Sequence, residues 1–201
     1  MTRVTEFVVN PMTPTFGAEI AGIDLSARLS EDILKDLEGE LLKWKVLFFR
    51  NQKIGIEDQK RLGSWFGKLE VHPTARHNPE VVMIEEDDKR RANNNLWHSD
   101  MSFTELPPMG TMLYSIEVPS KGGDTMLTNL YLAYESLSEG LKSLLEDMEA
   151  EYSAALKHAG GRRNVMNATR FDVANLDRSE ESFYHPIVRK HPETGQKALY
   201  I

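Results

Sequence analysis

The sequence predicts a mainly β fold with flanking helices. Short runs of strand-type residues recur along the chain and are bounded by proline and glycine turns. Apolar residues at helical spacing are confined to three stretches that lie between those runs. The 201 residues, 40% of them hydrophobic, suffice for one domain with a substantial core, so residues 1–201 are read as a single domain.

Residues 5–9 form the first strand-type run, broken by Pro11 and Pro14, and residues 17–23 alternate as a second. Ser30 reads as a helix N-cap, with Glu31 and Asp32 in the first turn, where acidic groups suit the helix dipole. Ile33, Leu34, Leu37, Leu41 and Leu42 then recur at helical spacing, which makes this a packing helix. Residues 46–49 are a continuous apolar run of the buried-strand type, ended by Arg50, Asn51 and Gln52. Residues 56–66 form a second amphipathic helix, with Leu62, Trp65 and Phe66 on one side and Gly67 as its stop.

Later in the chain, Pro107-Pro108 predicts a turn leading into a core strand over residues 110–118. Gly122-Gly123 turns the chain again and residues 124–128 begin another strand. Residues 130–149 are helical in pattern with a break near Ser138, Glu139 and Gly140; Leu141, Leu144, Leu145 and Met148 form a stripe for the core or an oligomer face. Residues 157–182 are polar and aperiodic, suited to a lid or a plain connector. Residues 183–190 and 197–201 read as two strands joined through Pro192-Glu193-Thr194-Gly195. An apolar strand at a terminus leaves backbone groups unpaired unless something continues the sheet, so the protein is expected to extend past Ile201.

A net charge of −7, from 24 basic and 31 acidic side chains, argues for solubility and against a nucleic-acid footprint. No apolar run approaches the roughly 20 residues needed to span a bilayer, and no charged-then-apolar leader precedes residue 5, so a soluble cytoplasmic protein is expected. With no cysteine, disulfides, zinc ribbons and iron–sulfur clusters are excluded. Any metal must be held by His, Asp or Glu. The mixed-sign run over residues 85–91 reads as a solvated loop.

The chemical centre is His98-Ser99-Asp100. In an extended segment, side chains two apart point to the same face, so the imidazole of His98 and the carboxylate of Asp100 converge. One neutral imidazole and one carboxylate, with positions left open for substrate and oxygen, are two of the three ligands of the facial triad of non-haem Fe(II) oxygenases. A zinc hydrolase could use the same pair, although the HExxH helix and the dense histidine cluster of such sites are missing from the sequence.

The surroundings of the triplet are more specific. Trp97-His98-x-Asp100, Phe103 and Pro107-Pro108, followed by Pro119-Ser120-x-Gly122-Gly123-Asp124-Thr125, resemble the taurine dioxygenase-like (TauD/TfdA) family of Fe(II)- and 2-oxoglutarate-dependent dioxygenases. The resemblance extends to Gly17-Ala18-Glu19-Ile20, to the Val46-Leu47-Phe48-Phe49-Arg50 run, and to Phe66-Gly67 and His72-Pro73. Near the end, His185-Pro186-Ile187-Val188-Arg189 with His191-Pro192 also falls where that family has similar residues.

The resemblance implies a double-stranded β-helix, or jelly roll, here incomplete at its C-terminus, in a protein that is a homo-oligomer. It implies that His98 and Asp100 are iron ligands and that Thr125 donates a hydrogen bond to a carboxylate of the 2-oxoglutarate cosubstrate. Asn94 would lie near cosubstrate and substrate, and His72 would bond the anionic head group of the substrate. The family's third ligand, a second histidine, and its 2-oxoglutarate-binding arginine lie well over a hundred residues beyond the His-x-Asp, so neither falls in this chain. His158, His185 and His191 are not assigned as ligands. Ala75 and Ala154 stand where taurine-oxidising members have large side chains, which argues against taurine and for a reshaped pocket. The expected reaction is O2-dependent hydroxylation of a small organic anion, a sulfonate, sulfate ester or carboxylate, with release of succinate and CO2. A truncated, non-catalytic jelly-roll binding or structural protein is the rival from another class.

Overall fold

The computed structural model describes residues 7–71, 80–85, 97–153 and 182–201. Its first unit is a three-stranded sheet covered by a helix. β1 (Val8–Pro11) pairs antiparallel with β2 (Ala18–Ala21), and β2 pairs in parallel with β3 (Leu47–Phe49), Ala18 opposite Leu47. The strand reaches Pro11 rather than stopping before it, which an edge position permits because proline has no N–H to donate to a ladder. The β1–β2 turn closes through the Thr13 hydroxyl, which bonds to the carbonyl of Phe16 and accepts from its N–H, and through Gly17 at φ +84°.

Parallel β2 and β3 require a crossover, and α1 (Glu31–Trp44) supplies it. The Ser30 hydroxyl caps this helix by accepting from the Ile33 N–H at 3.3 Å, and Lys45 ends it in the left-handed region at φ 68°. Leu37 is buried from the inner face of α1 against Ile20 of β2 and Phe7, with Val9, Ile23, Ile33, Leu47 and Phe49 packed around them. Burying a leucine of this kind contributes about 1.5–3 kcal/mol, so the sheet and its helix are held mainly by this cluster.

α2 (Ile56–Phe66) fastens the next segments. Asp58 accepts from the Gly55 N–H at 3.0 Å and from Arg61 at 2.8 Å; these bonds hold its carboxyl below the usual range. Arg61 in turn donates to the carbonyls of Leu25, Ser26 and Ala27. From the same helix the Gln59 amide donates to the Met112 carbonyl at 3.0 Å, and the Tyr114 hydroxyl donates to the Gln52 carbonyl at 3.3 Å. Residues 112–114 are thereby tied to the first unit.

Here the structure departs from the sequence prediction. Residues 110–118 and 124–128 are irregular rather than strands, and Ile116, Val118 and Met126 are each 71% exposed. An apolar run becomes a strand only where a neighbour completes its ladder. Among the described residues no segment pairs with these two. The helical stretch that follows is also shorter than predicted: α3 (Leu130–Glu135) is capped by Asn129 and α4 (Glu139–Leu145) by Ser138, and the chain is already extended at Glu149. The stripe of Leu141, Leu144 and Met148 is exposed.

The last part of the fold consists of two small sheets. β4 (Glu149–Ser153) pairs antiparallel with β5 (Ser182–Pro186), and β6 (Val188–Lys190) pairs antiparallel with β7 (Lys197–Leu199). Ile187 splits the single strand predicted over 183–190. Its N–H bonds to Met148 and its carbonyl accepts from Tyr200, so one residue joins both sheets. The predicted Pro192–Gly195 turn is present, with Gly195 at φ +70°. The lid or connector predicted over 157–182 lies, but for its last residue, outside the described residues.

Tyr152 closes this region. Its hydroxyl donates to the Tyr200 carbonyl at 2.7 Å, and burial pushes its phenol up from 10.0 to about 12. A folded-state pKa above the unfolded one means that the contribution is intact below pH 10.0 and is lost as the pH rises through about 12, where the phenolate can no longer donate. Circular dichroism followed from neutral pH into base should therefore show loss of structure over that interval, and Tyr152→Phe should flatten the slope. An unchanged slope in the variant would show that the Tyr152 hydroxyl contributes nothing there.

Candidate metal centre

His98 and Asp100 lie in an irregular segment, yet their side chains converge as the two-residue spacing predicts. His98 Nε2 and Asp100 Oδ1 are 3.1 Å apart, and both side chains are half exposed. The donor set, one imidazole and one carboxylate, fits a divalent first-row metal.

The second carboxylate oxygen is already engaged. Thr111 Oγ1 donates to Asp100 Oδ2 at 2.7 Å, which turns Oδ1 toward the imidazole. Hydrogen bonds of this kind from outside the ligand set orient a metal-binding carboxylate. Sequence reading missed Thr111, which passes for an ordinary residue of an apolar run. Between Asp100 and Thr111 the chain turns at residues 101–103 and bends at 104–106, and no residue of the 110–118 run signals the contact.

The chain turns sharply after Asp100. Met101 is buried and sits in the left-handed region at φ 55°, unusual for a side chain without a local hydrogen-bonding group. Thr104 stabilises the turn twice, its N–H and its hydroxyl both donating to the Met101 carbonyl, at 3.0 and 2.8 Å.

The other residues singled out from the sequence are distributed differently. Thr125 follows two glycines in the left-handed region and is exposed, with no hydrogen bond to His98 or Asp100 among the described residues. His72 and Asn94 lie outside the described residues, as do Ala75, Ala154 and His158. His191 is used locally, its Nδ1 accepting from the N–H groups of Glu193 and Thr194. His185 is buried, with Nε2 at 2.9 Å from the Ser102 carbonyl and 3.0 Å from that of Thr104. Among the described residues no cluster of three or more His, Asp or Glu side chains could hold a metal ion. A surface cleft of about 490 Å³ along residues 19–24 and 50–52 contains none of the predicted site residues, and the chemistry favours the convergent pair over it.

Comparison with known proteins is consistent across sequence and structure. The chain is 34% identical over 215 residues to an alkylsulfatase of Acinetobacter baylyi, covering 98% of this chain and 66% of the relative. It is 32% identical over 208 residues to an alpha-ketoglutarate-dependent sulfate ester dioxygenase of Pseudomonas putida, with the same two coverages of 98% and 66%. The crystal structure of a taurine dioxygenase from Burkholderia xenovorans superposes with a TM-score of 0.75 at 29% identity, over 97% of this chain and 63% of that one. The chain thus spans just under two thirds of the length of these three relatives. Residues 9–201 match the sequence profile described as "Taurine catabolism dioxygenase TauD, TfdA family", and the chain belongs to that family.

Proposed function

We propose that the whole protein is an Fe(II)- and 2-oxoglutarate-dependent dioxygenase that hydroxylates a small organic anion. The observation that carries this reading is the 3.1 Å approach of His98 Nε2 to Asp100 Oδ1, with Thr111 occupying the other carboxylate oxygen. Membership of the family supports it. Among sulfonates, sulfate esters and carboxylates, the names of the two relatives favour a sulfate ester. Ala75, at a position where taurine-oxidising members of the family have a tyrosine, argues against taurine.

In this reading His98 and Asp100 hold the iron, and a further imidazole and an arginine for 2-oxoglutarate come from residues beyond these 201. Iron(II) with 2-oxoglutarate supplies the oxidising chemistry: 2-oxoglutarate, O2 and a substrate C–H become succinate, CO2 and the hydroxylated product. The chain's own residues position the reactants. The Thr111 hydroxyl fixes the Asp100 carboxylate; Thr125 would donate to a cosubstrate carboxylate, Asn94 would lie near cosubstrate and substrate, and His72 would bond the anionic head group. The three small sheets and their helices become part of one jelly-roll domain, and the exposed Ile116, Val118 and Met126 become an inner surface of its completed form. The active form is a homo-oligomer in the cytoplasm. Among the described residues no helix is long and apolar enough to cross a membrane.

Succinate formation by the full-length protein, with Fe(II), 2-oxoglutarate and a short alkyl sulfate, tests this directly. Turnover should depend on the sulfate ester, and His98→Ala should lower it by more than about a hundredfold, since even outer-shell changes at metal sites cost 10–100-fold. Full turnover by that variant would exclude His98 from the metal site. Thr111→Val should raise the Fe(II) concentration for half-maximal rate about tenfold while leaving the rate at saturating iron nearly unchanged. Thr111→Ser, which keeps the hydroxyl, should behave as the unaltered protein. Equal iron dependence in all three would mean that Thr111 does not orient the carboxylate.

A further inference from the structure

We propose that His185 is a positioning residue for the His98–Asp100 pair, acting through the backbone of the turn that follows it; the inference rests on the metal-site reading above. His185 is 3% exposed, the one polar side chain among the described residues that is buried to this degree. Its Nε2 lies 2.9 Å from the carbonyl oxygen of Ser102 and 3.0 Å from that of Thr104. Both oxygens can only accept, so Nε2 carries the hydrogen and shares it between them. That nitrogen has no lone pair left for a metal. The role open to it is to hold residues 102–104, and with them the left-handed Met101 and the direction in which Asp100 leaves the chain.

The ring that delivers this hydrogen is itself immobilised. Strand pairing places His185 opposite Ala150, and the ring centroids of Phe183, Tyr152 and Tyr200 lie 5.0, 5.4 and 5.7 Å away, the last edge-on. The Tyr152 hydroxyl bonds onward to the Tyr200 backbone. An aromatic cage built from the β4–β5 sheet and from Tyr200, just past β7, thus presents one N–H to a turn more than eighty residues earlier in the chain. A histidine needed only to fill space between aromatic rings could be replaced by a phenylalanine without consequence. One that aims a donor could not.

Mn(II) binding to the full-length protein in the presence of 2-oxoglutarate, followed by electron paramagnetic resonance, separates these cases without relying on turnover. His185→Phe keeps the ring and removes the donor, and should weaken Mn(II) binding about tenfold. His185→Gln restores an N–H donor and should recover most of that loss. Circular dichroism melting of each variant establishes that the comparison is made between folded proteins. If the phenylalanine variant does not fold, His185→Met and His185→Gln, close in length and differing in the donor, give the same comparison. Equal Mn(II) affinity for the donor and donor-free variants would overturn the proposal. Mn(II) binding that is unaffected by His98→Ala would overturn it in a different way, by removing the metal site on which it rests.

Discussion

The 3.1 Å contact between His98 and Asp100, two half-exposed side chains two positions apart, depends on how the chain around them is held. The pair cannot fix itself. Both side chains are half exposed, and a polar contact in that setting contributes about 0–1 kcal/mol, no more than the rotamer entropy of holding it. The geometry must be imposed from the backbone and from neighbouring side chains. The left-handed Met101 is the first device. Its conformation costs about 1–3 kcal/mol, which the two Thr104 bonds to its carbonyl and the burial of its side chain are together large enough to offset.

The other supports come from separate parts of the fold. On one side, the core under α1 holds β3, Gln52 follows from β3, and the Gln52 carbonyl accepts from Tyr114. α2 adds the bond from Gln59 to Met112. Between them they set the place of Thr111, whose hydroxyl reaches Asp100. On the other side, the β4–β5 pair carries His185 to the carbonyls of Ser102 and Thr104. Segments before the His-x-Asp hold residues 112–114, and Thr111 and His185 after it reach Asp100 and the turn that follows. The sheets serve the candidate site less by contributing ligands than by holding the backbone that carries them.

That division explains which features were legible in the sequence. Local chemistry could be read: the Ser30 cap, the Gly67 stop, the β2 and β3 runs, the hairpin at Gly195 and the convergence of His98 with Asp100 all depend on residues close in sequence. Features that depend on distant partners could not. Residues 110–118 have a strand's composition but no ladder partner among the described residues, so composition alone misled. The strand read over 183–190 divides at Ile187 because its two halves bond to different sheets, a fact carried by Met148 and Tyr200 rather than by any residue within it. Thr111 carries no local signal, and the motif around His185 does not reveal its contacts; each matters only through a contact formed in three dimensions.

The two oxygens of Asp100 make the same point at atomic scale. A carboxylate with both oxygens unengaged can rotate between one-oxygen and two-oxygen coordination of a metal, and a site that must keep positions open for cosubstrate and O2 is better served by one-oxygen binding. The Thr111 bond to Oδ2 removes that freedom by giving one oxygen a partner of its own. Oδ1 is then the oxygen aligned with His98 Nε2. At a bound metal, a threonine in an apolar run would thus limit how many coordination positions Asp100 could occupy. In a site of the proposed kind, open coordination would be a property of the hydrogen bonds behind the ligands as much as of the ligands themselves.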